Sequence, residues 1–200
     1  CPSDGTGPKK GATANGPTNY ALNLGDQVIN NVGDTNGRGV FSHAIPNSFA
    51  DITDGTSNTL MFSEISIFKG TDPYSRSRLH GGYVTIAQGT LSTNPQICKD
   101  AEGPQDSIVG SYPSSHDRIG QMWSAGYPMG CGFTTILPPN SPSCANDRGE
   151  WSSGIFSAKS YHPGGVNATN VDGSVSFIAE TIDTGDLTAT EPKQQSPPIA

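Results

Sequence analysis

The stretch that decides the fold is Ser160-Tyr-His-Pro-Gly-Gly-Val-Asn-Ala-Thr-Asn-Val-Asp-Gly-Ser-Val-Ser-Phe-Ile-Ala179. Residues 166–171 and 174–179 alternate small or apolar side chains with polar ones, which is the period-two pattern of a half-buried strand. Asp172-Gly173 between them suits a two-residue type I′ turn, whose central residues both need positive φ. A β-hairpin is therefore expected, with His162 at its mouth.

Upstream, Asn19 to Leu24 reads as a short strand closed by Gly25-Asp26, residues 25–37 as a loop, and Gly39 to His43 as a second strand. Pro46 to Ile52 offers Asn47 or Ser48 as the N-cap of one helical turn, stopped by Asp54-Gly55. Asn58 to Phe68 is the densest apolar and β-branched run outside the hairpin, and its Leu60, Phe62 and Ile65 need at least one buried face. Gly81 to Ala87 is a further strand. Residues 88–119 hold no sustained period and read as a surface insertion. Residues 120–124 and 133–137 resume as short strands, separated from Cys144 by the proline-fixed turn Pro138 to Ser143. Residues 191–200 read as a polar, Pro-rich tail. With no internal repeat and no amphipathic helix of useful length, the expected class is α+β, mainly β: one domain over residues 1–190.

The 200 residues carry 11 Lys plus Arg against 18 Asp plus Glu, a net charge of −7. That balance argues against a nucleic-acid partner, because affinity there comes from basic side chains neutralising phosphates. The 25 Gly and 16 Pro predict a loop-rich chain that still folds. No apolar run reaches the roughly 18 residues of a membrane-spanning helix. The chain opens on Cys1 without an initiator Met, and a segment upstream is expected to have been removed.

Cys1, Cys98, Cys131 and Cys144 lie far apart, without Cys-x-x-Cys or zinc-finger spacing, so disulfides in an oxidising compartment are expected rather than a metal site. Four cysteines allow three connectivities; Cys131 with Cys144 closes the shortest loop, and Cys98 with Cys144 anchors the long insertion.

Six blocks together carry a family resemblance: Cys1-Pro-Ser-Asp4; Asn19-Tyr-Ala21; Gly39-Val-Phe41; Phe49-Ala-Asp-Ile-Thr-Asp-Gly-Thr-Ser-Asn-Thr-Leu60 with Glu64; Leu137-Pro-Pro-Asn-Ser-Pro-Ser-Cys144; and His162-Pro-Gly-Gly-Val-Asn167 leading to Asp172-Gly173. In this order they resemble the bacterial prepilin-like family, whose members carry a prepilin-type cleavage and methylation segment at the N-terminus and a C-terminal domain named for its His-x9-Asp-Gly motif. The resemblance implies a pilin-like or pseudopilin-like globular head of antiparallel strands with long loop insertions. The hydrophobic N-terminal helix is missing from this chain; in the family it packs into a filament core and makes the membrane contact. It further implies a structural subunit at the bacterial cell surface or outside the cell, with no catalytic activity and with self-association as its partnership. Cys98 and Cys144 fall where family members often have cysteines, which favours that pair and leaves Cys1 and Cys131. Residues 88–119, with Tyr112 and His116, and the loop 25–37 are candidate assembly surfaces, since a filament repeats a heterologous contact between two different patches.

The residues that define the motif are His162, Pro163, Gly164, Gly165, Asn167, Asp172 and Gly173. A metal reading gathers Asp51, Asp54, Glu64, His162 and Asp172 into an oxygen-rich set suited to Ca²⁺, which pilin-like heads of secretion systems use to order C-terminal loops. Against it stands the ordinary use of Asp-Gly in turns and of Asp in caps. A hydrolytic reading would draw on His43, His80, His116 or His162, but no Gly-x-Ser-x-Gly elbow and no His-Glu-x-x-His helix is present. The alternative to a filament subunit is a secreted module that binds carbohydrate or another surface ligand through Trp123, Tyr127, Trp151 and Tyr161, aromatics that otherwise serve as core filler.

Overall fold

The computed structural model describes residues 3–4, 16–29, 31, 37–42, 46–68, 81–111, 119–120, 122–147, 149 and 151–190. Cys1, His43, His80, His116, Tyr112 and the tail 191–200 lie outside the described residues. The architecture is α+β and mainly β, built on two sheets. The five-stranded sheet has the order β4-β1-β2-β7-β8, from β1 (Tyr20–Asn23), β2 (Leu60–Glu64), β4 (Gly132–Phe133), β7 (Gly165–Asn170) and β8 (Val175–Ala179). The three-stranded sheet has the order β3-β5-β6, from β3 (Tyr83–Thr85), β5 (Ser143–Ala145) and β6 (Gly154–Ile155). Most pairings are antiparallel, but β1 with β4 and β3 with β5 run parallel, a departure from an all-antiparallel head. Long connections make this possible, since parallel neighbours cannot be joined by a tight turn.

The small sheet is the middle layer. Tyr83, Ala145 and Phe156 join Ala21, Ile65, Met129, Phe133, Val166 and the half-buried Ile178 in one apolar cluster under the five-stranded sheet. Their chain neighbours Val84, Cys144 and Ile155 belong to a second cluster with Val28, Leu91, Cys98, Ala101 and Ile108. Alternation along a strand sends successive side chains to opposite faces, so three short strands serve two cores.

The hairpin forms as expected, with Gly165 opposite Ala179 and Thr169 opposite Val175. Its turn differs from the expected one. Asn170 N–H bonds Ser174 O and Gly173 N–H bonds Asn170 O, leaving a three-residue loop Val171–Gly173 in which only Gly173 has positive φ, at 84°. This is a type I turn closed by a left-handed glycine; Asp172 turns with negative φ and spends its carboxylate on Ser174 instead.

Three other expectations are corrected. Gly39 to Phe41 is not a strand: Gly39 is pressed against the backbone of Leu24 and Gly25, leaving no room for a Cβ, and Phe41 N–H makes a single bond to Asn23 O. Described residues in 119–124 form turns, and β4 stops at Phe133, so those strand readings fail or shrink. Residues 88–111 are not a bare surface insertion. They form α1 (Gln88–Thr93) and α2 (Gln96–Lys99) and bury Leu91, Cys98, Ala101 and Ile108. Both helices are too short to show a 3.6-residue period. A further short helix, α3 (Pro128–Cys131), opens on Pro128 at its first turn, where a missing N–H costs nothing. Among the described residues no helix is long and apolar enough to cross a membrane.

The expected helical turn at residues 46–52 is a 3-10 turn, Phe49–Asp51, and Ser48 is its N-cap. Asp51 accepts from both Ser48 N–H and Ser48 Oγ at 2.7 Å. Asn47 is used elsewhere, donating to Val40 O at 2.8 Å. Cys98 and Cys144 form a disulfide across 46 residues, tying α2 to β5. Cys131 is a buried free thiol, its Sγ 2.8 Å from Ala125 O, and burial pushes its pKa up.

Candidate functional site

The last residue of β2 and the first turn of the hairpin motif build one polar knot. Glu64 is almost fully buried at 3% exposure, which a carboxylate tolerates only when its oxygens are bonded. Oε2 accepts from Asn167 N–H at 2.8 Å and from Asn167 Nδ2 at 3.3 Å, and stands 3.0 Å from His162 Nδ1. An ionised carboxylate oxygen only accepts, so towards it Nδ1 acts as the donor.

Ser160 fastens the same turn. Its Oγ donates to Gly165 O at 2.8 Å and accepts from His162 N–H at 2.9 Å. Ser160 N–H in turn donates to Asn140 Oδ1 at 2.9 Å, while Asn140 Nδ2 donates to Glu180 Oε1 at 2.6 Å. Asn140 sits at φ 60°, a left-handed conformation that Asn accepts more readily than most side chains, and this aims its amide from the Pro-rich turn into the hairpin base. At the base of the hairpin Gly165 lies beside Ala179 of β8, and a Cβ there would collide with Ile178 O and with the tip of the Phe177 ring. The motif's second glycine is thus a close-approach glycine.

Asp4 belongs to the same framework. Its Oδ2 accepts from Asn19 Nδ2 at 2.7 Å and from Ile67 N–H at 3.1 Å, and it is 5% exposed. The Tyr161 phenol is raised well above its ordinary pKa, chiefly by burial and secondarily by the Asp4 charge. Lys159, wholly buried, donates its backbone N–H to Glu64 O at 2.9 Å. The blocks around Asp4, Asn19, Glu64, Asn140 and His162, scattered along the chain, therefore meet at one end of β2.

The five residues considered as calcium ligands are not gathered. Glu64 and His162 meet, whereas Asp51 is held by Ser48 and Asp172 by Ser174, and these hydrogen bonds hold both carboxyls below their ordinary pKa. Asp51 and Asp54 line a separate open cleft of about 370 Å³ with Arg38, Asn47 and Thr59; Arg38 there is paired with Asp26 through two nitrogens. Among the described residues no three His, Cys, Asp or Glu side chains group as metal ligands. Ser160, His162 and Glu64 also lack the order of a hydrolytic triad. There the carboxylate and the hydroxyl take opposite ring nitrogens; here both face Nδ1, at 3.0 and 3.2 Å.

Of the four aromatics considered for ligand binding, Trp123 is 69% and Trp151 54% exposed, so neither is core filler. Tyr127 is half-buried and meets the Trp151 ring edge-on, with centroids 4.5 Å apart. Tyr161 is likewise half-buried, beside the knot rather than on this surface. No local pattern marks Asp4 or Ser160 for the knot; for Asn140 the one signal is the left-handed preference of Asn after Pro-Pro.

The fold and the knot define a mainly β domain whose distinctive polar residues are turned inward. The chain matches, over residues 1–185, the family model described as "Protein of unknown function (DUF1559)", SBP_bac_10, and it belongs to that family. No curated protein and no solved structure matches it.

Proposed function

We propose that this chain is the globular head of a pilin-like or pseudopilin-like subunit, non-catalytic, working outside the cell or on its surface by assembling with other copies. The observation that carries the reading is the inward use of the motif: Glu64, His162, Asn167, Ser160 and Asn140 bond one another and nearby backbone, as parts of a scaffold do. Membership of the DUF1559 family over nearly the whole chain supports it, as does a Cys98–Cys144 disulfide of the kind that persists in oxidising compartments. The hydrophobic helix and prepilin-type segment belong to this proposal, and the helix makes the membrane contact. Exposed apolar residues on the two candidate assembly segments, Ile29 on one and Val109 on the other, offer two different patches for a heterologous contact.

Mass spectrometry and electron microscopy on the protein taken from its native cell surface test the reading. A methylated hydrophobic N-terminus within regular fibres is the expected result. A soluble monomer beginning near Cys1 would overturn it.

A second reading is favoured by one observation, the exposure of Trp151 with Tyr127 against it and of Trp123. Flat exposed aromatics stack on sugar rings, and the chain would then be a secreted carbohydrate-binding module. Glycan-array binding that disappears in Trp151→Ala would support this reading over the first.

A further inference from the structure

We infer that β8 is a strand-pairing edge for a second copy of this chain, joined antiparallel about a two-fold axis at Phe177. β8 lies at the end of the five-stranded sheet. The bonds Asn170 N–H to Ser174 O and Glu180 N–H to Gly164 O fix the alternation of the β7–β8 ladder. Residues 176 and 178 therefore bond β7, while the N–H and C=O groups of Val175, Phe177 and Ala179 point away from it. Asn167, opposite Phe177, sends its own N–H the other way, to Glu64, as that alternation requires.

Among the described residues no other backbone partner falls to these outward groups except Ile182 N–H on Ala179 O. Natural edge strands are ordinarily blunted by Lys, Pro or a bulge. Val175-Ser-Phe-Ile-Ala179 contains no charge and no proline, and its register with β7 is unbroken. Large apolar side chains are exposed along this edge: Val175 is 65%, Phe177 52% and the following Ile182 47% exposed.

Charge selects the direction in which a second copy pairs. An antiparallel copy centred on Phe177 engages all three outward residues, setting Phe177 against Phe177 and Val175 against Ala179. It also places Asp172 opposite Ile182 and Glu180 opposite Ser174, so no carboxylate faces another. A parallel copy in the same register would stack Asp172 on Asp172 and Glu180 on Glu180, which opposes pairing. The antiparallel arrangement is isologous and closes at two copies. One edge strand with a few apolar side chains lies at the small end of specific interfaces, so micromolar-to-millimolar association is expected. The inference stands apart from the filament reading, since a closed pair needs neither a helix nor a fibre.

The test is sedimentation and residue-resolved amide exchange on the purified 200-residue chain across a concentration series, with Phe177→Pro and Val175→Lys as variants. Proline at 177 removes an N–H that β7 does not use, and lysine at 175 changes an exposed side chain alone. The expected result is a concentration-dependent dimer in which the Val175 and Phe177 amides gain protection, with both variants weakening association by about tenfold or more. A chain that stays monomeric at millimolar concentration with both amides open would overturn the inference. So would a dimer that both variants leave intact.

Discussion

Glu64 Oε2 and His162 Nδ1 stand 3.0 Å apart although 98 residues separate them in the chain. One buried carboxylate thus holds the end of β2, the turn before β7 and, through Asn167 N–H, β7 itself. The pair is unequally placed, with the Glu64 side chain 5% and the His162 side chain 34% exposed. Its two members should therefore be unequally important.

Glu64→Ala leaves Asn167 N–H and His162 Nδ1, both part-buried, without their acceptor, and should cost about 2–4 kcal/mol of folding stability. His162→Ala removes a partly solvated donor and should cost about 1 kcal/mol. Urea unfolding of both variants and of the double mutant checks this. A loss below about 1 kcal/mol for Glu64→Ala would mean that the carboxylate does not hold the knot together.

The Cys98–Cys144 disulfide ties α2, against which α1 packs, to β5 and closes a long loop that contains α3, β4 and much of the second core. Replacing both cysteines with Ser frees that loop in the unfolded chain and should lower stability by about 2–4 kcal/mol. The loss should open residues 88–99 to amide exchange before the five-stranded sheet, because these short helices have little stability of their own. Uniform exchange across both sheets would contradict that order.

The hairpin and β1 were legible because alternation over five or six residues is a strong local signal. The Asp172-Gly173 turn was legible in place but not in type, since one glycine serves a type I turn plus bulge as well as a type I′ turn. Gln88 to Thr93 gave no helical signal: Gly89, Thr90, Ser92 and Thr93 are poor helix formers, and the helix exists because Leu91 packs into the core. Glu64 and His162 could be singled out from the motif blocks, but their contact could not be derived from local pattern, because it depends on how β2 and β7 pair across the whole domain. Asp4 and Asn140 escaped for the same reason.

Gly165→Ala should be costly in spite of its small size. The added Cβ meets Ile178 O and the tip of the Phe177 ring, and only the ring can move. Backbone displacement at the β7–β8 pair is then unavoidable, with a loss of about 2 kcal/mol or more expected. Thermal unfolding reads it directly. Gly164→Ala is the comparison, because nothing lies near its Cβ position and the penalty there is confined to its φ of 82°. Equal losses at the two positions would show that close approach is not what position 165 requires.

Tyr161 predicts the alkaline behaviour of the fold. Burial, helped by the Asp4 charge, keeps its phenol protonated to a higher pH than the ordinary value of 10.0. The unfolded chain therefore releases this proton first. Above about pH 10 it binds fewer protons than the native state, and stability falls as pH rises until the native phenol ionises in turn. Below pH 10 the contribution is fully present. Urea midpoints followed into the alkaline range should fall more steeply for the wild type than for Tyr161→Phe, which has no proton to lose. Parallel slopes for the two proteins would mean that Tyr161 ionises as freely in the native state as in the unfolded one, and that the end of β2 is open to water.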